Sequence, residues 1–160
     1  MNDVGSTDFT SVYEGVLRKH GRVVVDANIL IFALVRDFAE RAYCRPIVDD
    51  LVTGKLNAVI PVIVLAETYH KCVFKYKMDR DELEDFIKDL AGILPPENIP
   101  ALDLATFLDS LSRSHLYQLL PFDAAIVSWM ESHRVTEIIS NNKDFDRARI
   151  TRLDPIPQTI

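Results

Sequence analysis

The chain has 160 residues, of which 48% are hydrophobic and 26% are charged, with 18 basic and 24 acidic residues and a net charge of −6. This length and composition are typical of one globular domain with a sizeable core, and they exclude a wholly disordered chain. The net charge excludes a globally basic nucleic-acid binder but is compatible with a local basic rim. We expect a soluble, cytoplasmic protein, because the start of the chain is polar and acidic and its apolar stretches are shorter than a membrane span.

The first predicted element is an amphipathic helix, followed by a buried strand. The basic run 18–20 suits the negative end of a helix dipole, and Gly21 is expected to end the helix. Residues 22–26 place three valines before Asp26, which predicts a strand buried on both faces, as in a parallel sheet. The apolar stripe of the helix, at helical spacing, consists of Phe9, Val12, Tyr13, Val16 and Leu17.

The rest of the chain alternates between helical and strand-like segments. This alternation predicts an α/β layered domain with a mostly parallel sheet. We divide the chain into an N-terminal helical extension, residues 1–21, and a single domain, residues 22–160. Helices are predicted over 29–35, 39–53, from 61 onward, 79–90, 103–115 and 121–133, and further strands over 57–60, 137–140 and 150–153.

Several familiar active-site motifs are missing from the sequence. It has no glycine-rich phosphate-binding loop, no G-x-S-x-G and no H-E-x-x-H. Cys44 and Cys72 are expected to be buried free thiols rather than a disulfide or a zinc site. Glu67 and His70 have the spacing of a di-iron carboxylate motif, but that chemistry needs two copies on a helical bundle, so we interpret His70 as a packing or solvated residue.

Polar side chains at element ends are more informative. Asp26 ends a hydrophobic strand and Asn28 follows two residues later, and ligands of open parallel sheets bind beyond the carboxyl ends of the strands. Asp26 could equally be the N-cap of the next helix. Glu67 interrupts an apolar run, although Lys71 four residues later could simply pair with it. Asp123 lies in a first helical turn, where the dipole favours an acid in any case.

Taken together, these acids indicate more than each does alone. Carboxylates that converge at one end of a sheet repel one another unless they bind a cation or share protons. Oxygen-rich clusters select Mg²⁺ or Mn²⁺, and such sites hydrolyse phosphodiesters. The pattern therefore favours metal-dependent cleavage of a phosphodiester bond.

Four segments in this order resemble the motifs of the PIN domain family, and more narrowly those of VapC-type toxin ribonucleases and their archaeal relatives. The resemblance covers about residues 22–153. It implies a three-layer α/β/α domain with a mostly parallel sheet, a Mg²⁺ or Mn²⁺ site and endoribonuclease activity. The segments are Val-Val-Val-Asp26-Ala-Asn28-Ile-Leu, Val-Leu-Ala-Glu67-Thr, Phe-Asp123-Ala-Ala-Ile-Val and Ile-Ile-Ser140-Asn-Asn142-Lys-Asp144-Phe.

The resemblance also implies roles for particular residues. Asp26 and Asp123 would hold the principal metal ion, and Glu67 would complete its shell directly or through water. Asp144 or Asn142 would fill a fourth position, since Asn142 is an amide where many relatives carry an acid, and this departure leaves the number of metal ions open. The supporting residues Asn28 and Ser140 would orient ligands or contact phosphate.

The resemblance further implies an RNA substrate, an antitoxin protein as partner and a homodimer, with no membrane association. The enzyme would be the toxin of a toxin–antitoxin pair or an RNA-processing nuclease. One alternative is a non-catalytic PIN-like module that binds RNA or protein. Another is a haloacid-dehalogenase-like phosphatase, whose nucleophile strand resembles Val-Val-Asp26-x-Asn28, although Asn28 replaces the acid expected there.

Two further expectations concern the periphery. The N-terminal helix should be ordered, should pack away from the acidic site and should cover apolar surface of this subunit or of a second copy. Candidate phosphate-contacting cations form a basic rim, and most of them could equally be ordinary surface residues. They are Lys55, Lys71, Lys75, Lys77, Lys143, Arg147 and Arg149.

Overall fold

A computed structural model describes residues 8–158. None of the helices in these residues is long and apolar enough to span a membrane. The helices are α1 (Phe9–Lys19), α2 (Ala27–Leu34), α3 (Arg41–Val52), α4 (Val62–His70), α5 (Arg80–Ile93), α6 (Leu104–Tyr117) and α7 (Pro121–Ser132). The strands are β1 (Val23–Val25), β2 (Ala58–Val59), β3 (Glu137–Ile139) and β4 (Thr151–Leu153).

The four strands form one sheet in the order β2-β1-β3-β4, and all neighbouring strands are parallel. Val24 of β1 is in register with Val59 on one side and with Ile138 on the other. Helices cover both faces of the sheet, which confirms the predicted three-layer α/β/α domain. Because parallel strands point the same way, the residues that follow β1, β2 and β3 meet at one edge of the sheet.

The centre of the sheet is fully apolar. The three valines of β1 are completely buried, as the unbroken β-branched run predicts for a central parallel strand. Helix α2 buries residues on most of its circumference and therefore lies inside the domain, which fits its high apolar content. The segment that carries Asp26 is thus held rigidly from both sides.

Helix α1 packs on its own subunit. The Asp8 side chain caps it, and Tyr13 and Val16 join the main hydrophobic core. The Tyr13 hydroxyl donates a hydrogen bond to Asp50 at the end of α3 (2.8 Å). The prediction that Gly21 ends this helix is wrong: His20 takes the left-handed conformation (φ 50°) and its N–H bonds back to the Leu17 carbonyl.

Most other helix boundaries agree with the pattern to within a few residues. Asp79 and Asp103 cap α5 and α6 through their side chains, as predicted. The sequence pattern gave no sign of the single π-helical turn, Lys71–Lys75, that continues α4. Cys44 and Cys72 are free and buried.

Candidate active site

Asp26 and Ser140 lie side by side because they follow two neighbouring strands. The backbone N–H of Asp26 bonds to the Ile139 carbonyl (3.1 Å), which extends the pairing of β1 and β3 by one step. The Ser140 hydroxyl then donates to Asp26 Oδ2 over 2.7 Å. The fold therefore brings together two residues that are 114 positions apart in the chain.

Asp26 is the N-cap of α2, and its second oxygen faces the turn after β3. Its Oδ1 caps helix α2 by accepting from the Ala27 N–H (2.8 Å), and its Oδ2 accepts from Ser140 and from the Asn28 amide (3.2 Å). Only 5% of the residue is exposed. Asp26 is thus a nearly buried carboxylate fixed in one orientation.

Asn28 connects Asp26 to the turn after β3. Its amide lies 3.3 Å from the Ser140 hydroxyl, and its oxygen accepts from the Asn141 N–H at 3.3 Å. The Ser140 oxygen also accepts from the Asn142 N–H (3.0 Å). Asn28 and Ser140, predicted as supporting residues, therefore form one hydrogen-bonded unit with the first acid.

Asp123 joins this unit through Asn142. It lies in the first turn of α7 and accepts a hydrogen bond from the Asn142 amide (3.2 Å). The Asn142 oxygen in turn accepts from the Asp144 N–H (3.0 Å). The Asp144 carboxylate instead pairs with Arg147 at 2.6 Å. Of the two candidates for a fourth ligand, the amide is the one that contacts Asp123.

Glu67 approaches from α4 and is half-buried. Its carboxylate pairs with the Lys71 ammonium over 2.6 Å, which is the ion pair that the i, i+4 spacing allowed. Partial burial lowers the pKa of Lys71, but the hydrogen bond and the charge of Glu67 outweigh it, so the pKa is raised overall. Lys71 therefore stays protonated and is the cation nearest to the acids.

The two principal acids resist ionisation. Burial raises the pKa of Asp26 most strongly and the charge of Glu67 adds to it, against the hydrogen bonds from Ser140 and from the Ala27 N–H. Burial, followed by the charges of Asp26 and Glu67, raises the pKa of Asp123 to about 6. Carboxylates behave in this way when they face one another without enough compensating positive charge.

The donor set suits a hard divalent cation, since Asp26, Glu67 and Asp123 offer carboxylate oxygens and Asn142 an amide oxygen. Within residues 8–158, however, no three Asp, Glu, His or Cys side chains are gathered closely enough to enclose a metal ion. The chemistry of the residues fits Mg²⁺ or Mn²⁺, and the ion would supply the charge that draws them together.

Sequence reasoning missed the residues that hold the turn after β3. Arg152 of β4 donates to the Ser140 carbonyl (3.1 Å) and pairs with Asp154 (2.8 Å) and Asp146 (2.8 Å). Asp154 also accepts from the Asn141 amide. An arginine and an aspartate flanking the last strand residue are the only sequence signal of this support.

The proposed basic rim is divided between the two ends of the sheet. Lys55 precedes β2, and Arg149 precedes β4 and lines a cavity of about 360 Å³ with Tyr117 and Glu131. These two cations therefore lie at the amino end of the strands, whereas Lys71 contacts the acid cluster. His70 takes part in no Glu67-based metal motif and instead stacks on Phe74.

The family model described as PIN domain matches residues 23–150, and the chain belongs to this family. The match covers all of the motifs that resemble it and begins after helix α1. A comparison with curated protein sequences gives no match.

Solved structures share the fold at low sequence identity. FitAcB from Neisseria gonorrhoeae has a TM-score of 0.62 at 15% identity, covering 83% of this chain and 97% of that one. VapBC2 from Rickettsia felis, bound to a DNA fragment from its promoter, has a TM-score of 0.59 at 16% identity, covering 83% and 98%. A toxin–antitoxin complex from Klebsiella pneumoniae has a TM-score of 0.55 at 22% identity, covering 77% and 89%.

Proposed function

We propose that this PIN domain is a Mg²⁺- or Mn²⁺-dependent endoribonuclease that hydrolyses phosphodiester bonds of RNA. The observation that carries the proposal is the undercompensated pair Asp26 and Asp123, joined through Ser140 and Asn142 at the carboxyl edge of the sheet. An arrangement that raises the pKa of both acids costs stability. A bound cation would remove that cost.

Each side chain of the site has a proposed role that follows from its position. Asp26 and Asp123 would hold the metal ion, with Glu67 released from Lys71 to join them. Bound in this way, the ion would activate water and stabilise the charge that develops on phosphate. Asn28 and Ser140 keep Asp26 oriented, and Lys71 is placed to contact a phosphate of the substrate.

For the fourth position we propose Asn142 rather than Asp144. The Asn142 amide contacts Asp123, whereas the Asp144 carboxylate is half-exposed and neutralised by Arg147. An amide oxygen is a weaker ligand than a carboxylate, which favours one tightly held metal ion over two.

The protein partner that we propose is an antitoxin. One structure that shares the fold is described as a toxin–antitoxin complex, the one from Klebsiella pneumoniae. In this proposal the domain, residues 22–160, is the toxin and acts in the cytoplasm. Residues 1–21 form an extension whose helix contributes to the same core. In a variant of this proposal, the protein is an RNA-processing nuclease that has no antitoxin. Co-purification of a protein partner would distinguish the two.

We further propose a homodimer formed through the α6–α7 face. Leu104, Phe107, Leu108 and Leu111 form an exposed apolar stripe on α6, with Leu104 70% exposed. Leu120 and Phe122, beside Asp123, extend the surface onto α7. Each of these six side chains is 45–70% exposed, and large exposed apolar side chains at this density mark a surface that binds another protein. Light scattering of wild type and of Leu108→Glu tests this proposal.

A non-catalytic RNA-binding module is the second candidate, favoured by the Lys71–Glu67 ion pair and by the amide at position 142. The phosphatase alternative has no comparable support.

The deciding experiment incubates purified protein with several RNAs in Mg²⁺, Mn²⁺ or EDTA, beside the Asp26→Asn variant. We expect cleavage in Mn²⁺ that EDTA and Asp26→Asn both abolish. Metal-stabilised protein that binds RNA but leaves it intact would favour the non-catalytic module, and cleavage that survives in Asp26→Asn would reveal a contaminating nuclease.

A further inference from the structure

The segment between α4 and α5 concentrates positive charge in a chain whose net charge is −6. Residues 70–80 contain one acid, Asp79, and that carboxylate caps α5 through the Glu82 N–H. The segment includes the π-helical turn Lys71–Lys75, and such turns are frequent at functional sites. Its four cations are Lys71, Lys75, Lys77 and Arg80.

Three of these cations have no acidic partner. Within residues 8–158, no carboxylate lies within ion-pair distance of Lys75, Lys77 or Arg80. Instead, the Lys75 ammonium lies over the Tyr76 ring at 5.2 Å, the Lys77 ammonium donates to the Phe74 carbonyl (2.8 Å), and the Arg80 guanidinium lies 5.9 Å from the centre of the Phe74 ring.

At the centre of these cations is an aromatic ring outside the core. Phe74 is 52% exposed and stacks on His70, with ring centres 5.5 Å apart and an angle of 29° between the rings. The π-helical geometry fixes this ring, because the Tyr76 N–H bonds to the Lys71 carbonyl five residues back. An exposed aromatic stack bordered by unpaired cations is the arrangement that binds single-stranded nucleic acid.

This surface is continuous with the candidate active site. Lys71, at the start of the π-helical turn, contacts Glu67, and the charge of Glu67 acts on both Asp26 and Asp123. Glu67 and His70 lie three residues apart on α4 and are therefore neighbours on its surface, so the aromatic stack begins beside the acid that pairs with Lys71.

We propose that the His70–Phe74 stack and the flanking Lys75, Lys77 and Arg80 bind an unpaired stretch of RNA and position it for cleavage. This inference rests on the proposed ribonuclease function and assigns the surface of this chain that would hold the substrate. Unpaired bases would stack on the rings and the cations would contact phosphates, whereas the bases of a duplex are stacked on one another already. An acidic peptide could pair with the cations, but its carboxylates would not stack on the exposed rings.

The test measures RNA binding by fluorescence anisotropy in the full-length Asp26→Asn background with Mg²⁺, using a labelled single-stranded RNA of mixed sequence. We expect Phe74→Leu, which keeps the apolar bulk and removes the ring, to weaken binding roughly 5- to 100-fold. Phe74→Trp should bind at least as tightly as the parent. The double variant Lys75→Gln/Lys77→Gln should reduce the slope of log Kd against log salt by about 1.4, as expected for two lost phosphate contacts.

The matched controls are Tyr43→Leu, which removes a ring that is 47% exposed on α3, and Lys55→Gln at the amino end of the sheet. Both should bind RNA like the parent. Unchanged binding in Phe74→Leu, or equal losses for single-stranded and duplex RNA, would overturn the proposal. So would polyglutamate binding with the same dependence on Phe74, or a parent protein that does not bind RNA. If binding depends on Phe74 while wild-type protein does not cleave, the surface stands and the catalytic proposal fails.

Discussion

Helix α7 carries an acid near each end, and the two lie in opposite electrostatic surroundings. Near its C-terminal end, Glu131 pairs with Arg113 at 2.5 Å, and the same guanidinium pairs with Asp109, also at 2.5 Å. Asp109 further accepts from the Ser128 hydroxyl. These hydrogen bonds, from Ser128 first and then from Arg113, hold the pKa of Asp109 below its ordinary value. This cluster fastens α6 to α7.

At the N-terminal end, no cation among residues 8–158 lies within ion-pair distance of Asp123. It receives one hydrogen bond, from the Asn142 amide, and faces the charges of Asp26 and Glu67. The positive end of the α7 dipole favours its ionised form, but burial and the neighbouring acids prevail and the pKa rises to about 6. Helix α7 therefore carries two kinds of acid. Glu131 is neutralised by a cation and stabilises the fold, whereas the charge of Asp123 needs a ligand, and only the second kind is expected at a metal site.

The largest expected effect is on cleavage. Asp123→Asn should lower the rate of RNA hydrolysis at least about a hundredfold, because it would remove a carboxylate that we propose as a metal ligand and should leave the fold intact. Asp109→Asn, at the compensated cluster, should stay within about twofold of wild type. Rates in Mn²⁺ on one RNA measure both variants. Equal losses at the two positions would mean that the contrast between the clusters has no functional meaning.

Removing Arg113 should leave its two acidic partners without compensating charge, which is the situation of Asp123 at the other end of α7. Arg113→Met leaves Asp109 and Glu131 without their partner, and we expect the free energy of unfolding to fall by about 1–3 kcal/mol. Urea denaturation measures the change. The control is Arg18→Met, whose pair with Glu14 is exposed and should be worth less than about 0.5 kcal/mol. Similar small losses for both variants would contradict the structural role of Arg113.

The pH dependence of stability should report the undercompensated acids. The folded-state pKa of Asp123 lies above its ordinary value, so the folded protein binds this proton more tightly than the unfolded chain does. In EDTA, stability from this group is therefore present below about pH 4 and is lost as the pH rises to about 6, by roughly 2 kcal/mol after allowance for its partial exposure.

Asp123→Asn should flatten that loss and stabilise the metal-free protein above pH 6. Millimolar Mn²⁺ should raise the melting temperature of wild type and leave that of the variant unchanged, because the ion binds only the folded site. A wild-type melting temperature that no divalent ion moves would exclude the metal site.

The smallest effect distinguishes Asn142 from Asp144. Arg147 neutralises Asp144 much as Arg113 neutralises Glu131, so Asp144→Ala should reduce cleavage less than about threefold, whereas Asn142→Ala should reduce it about tenfold. Asn142→Asp replaces the amide with a carboxylate, which is the stronger ligand, and should tighten Mn²⁺ binding. The reverse ranking of the two alanine variants would assign the fourth position to Asp144.

Much of this arrangement could be predicted from the sequence because local patterns determine it. The valines before Asp26 identify a central parallel strand, and the polar residues after β1 and β3 have to meet at its carboxyl edge. Capping by Asp79 and Asp103 follows from residue type alone. The i, i+4 spacing likewise anticipated the pair of Glu67 with Lys71.

Other features depend on contacts that no local pattern encodes. The π-helical turn and the stacking of Phe74 on His70 occur together, and nothing in the spacing of apolar residues specifies either of them. Ending α1 at His20 rather than Gly21 depends on one left-handed residue. The contact of Asn142 rather than Asp144 with Asp123 depends on the conformation of the turn after β3, and Arg152 holds that turn from a strand later in the chain.

The pairing of β1 with β3 also sets the order of events during synthesis. Asp26 and Glu67 leave the ribosome early, but Ser140 follows Asp26 by 114 positions, and β3 must be complete before it can lie beside β1. At about 5–20 residues per second, this delay amounts to several seconds of translation. A nascent chain therefore cannot bring Ser140 and Asn142 to Asp26 and Asp123 until β3 and the turn after it have been made, and a protein that needs the proposed active site stays inactive through that part of its own translation.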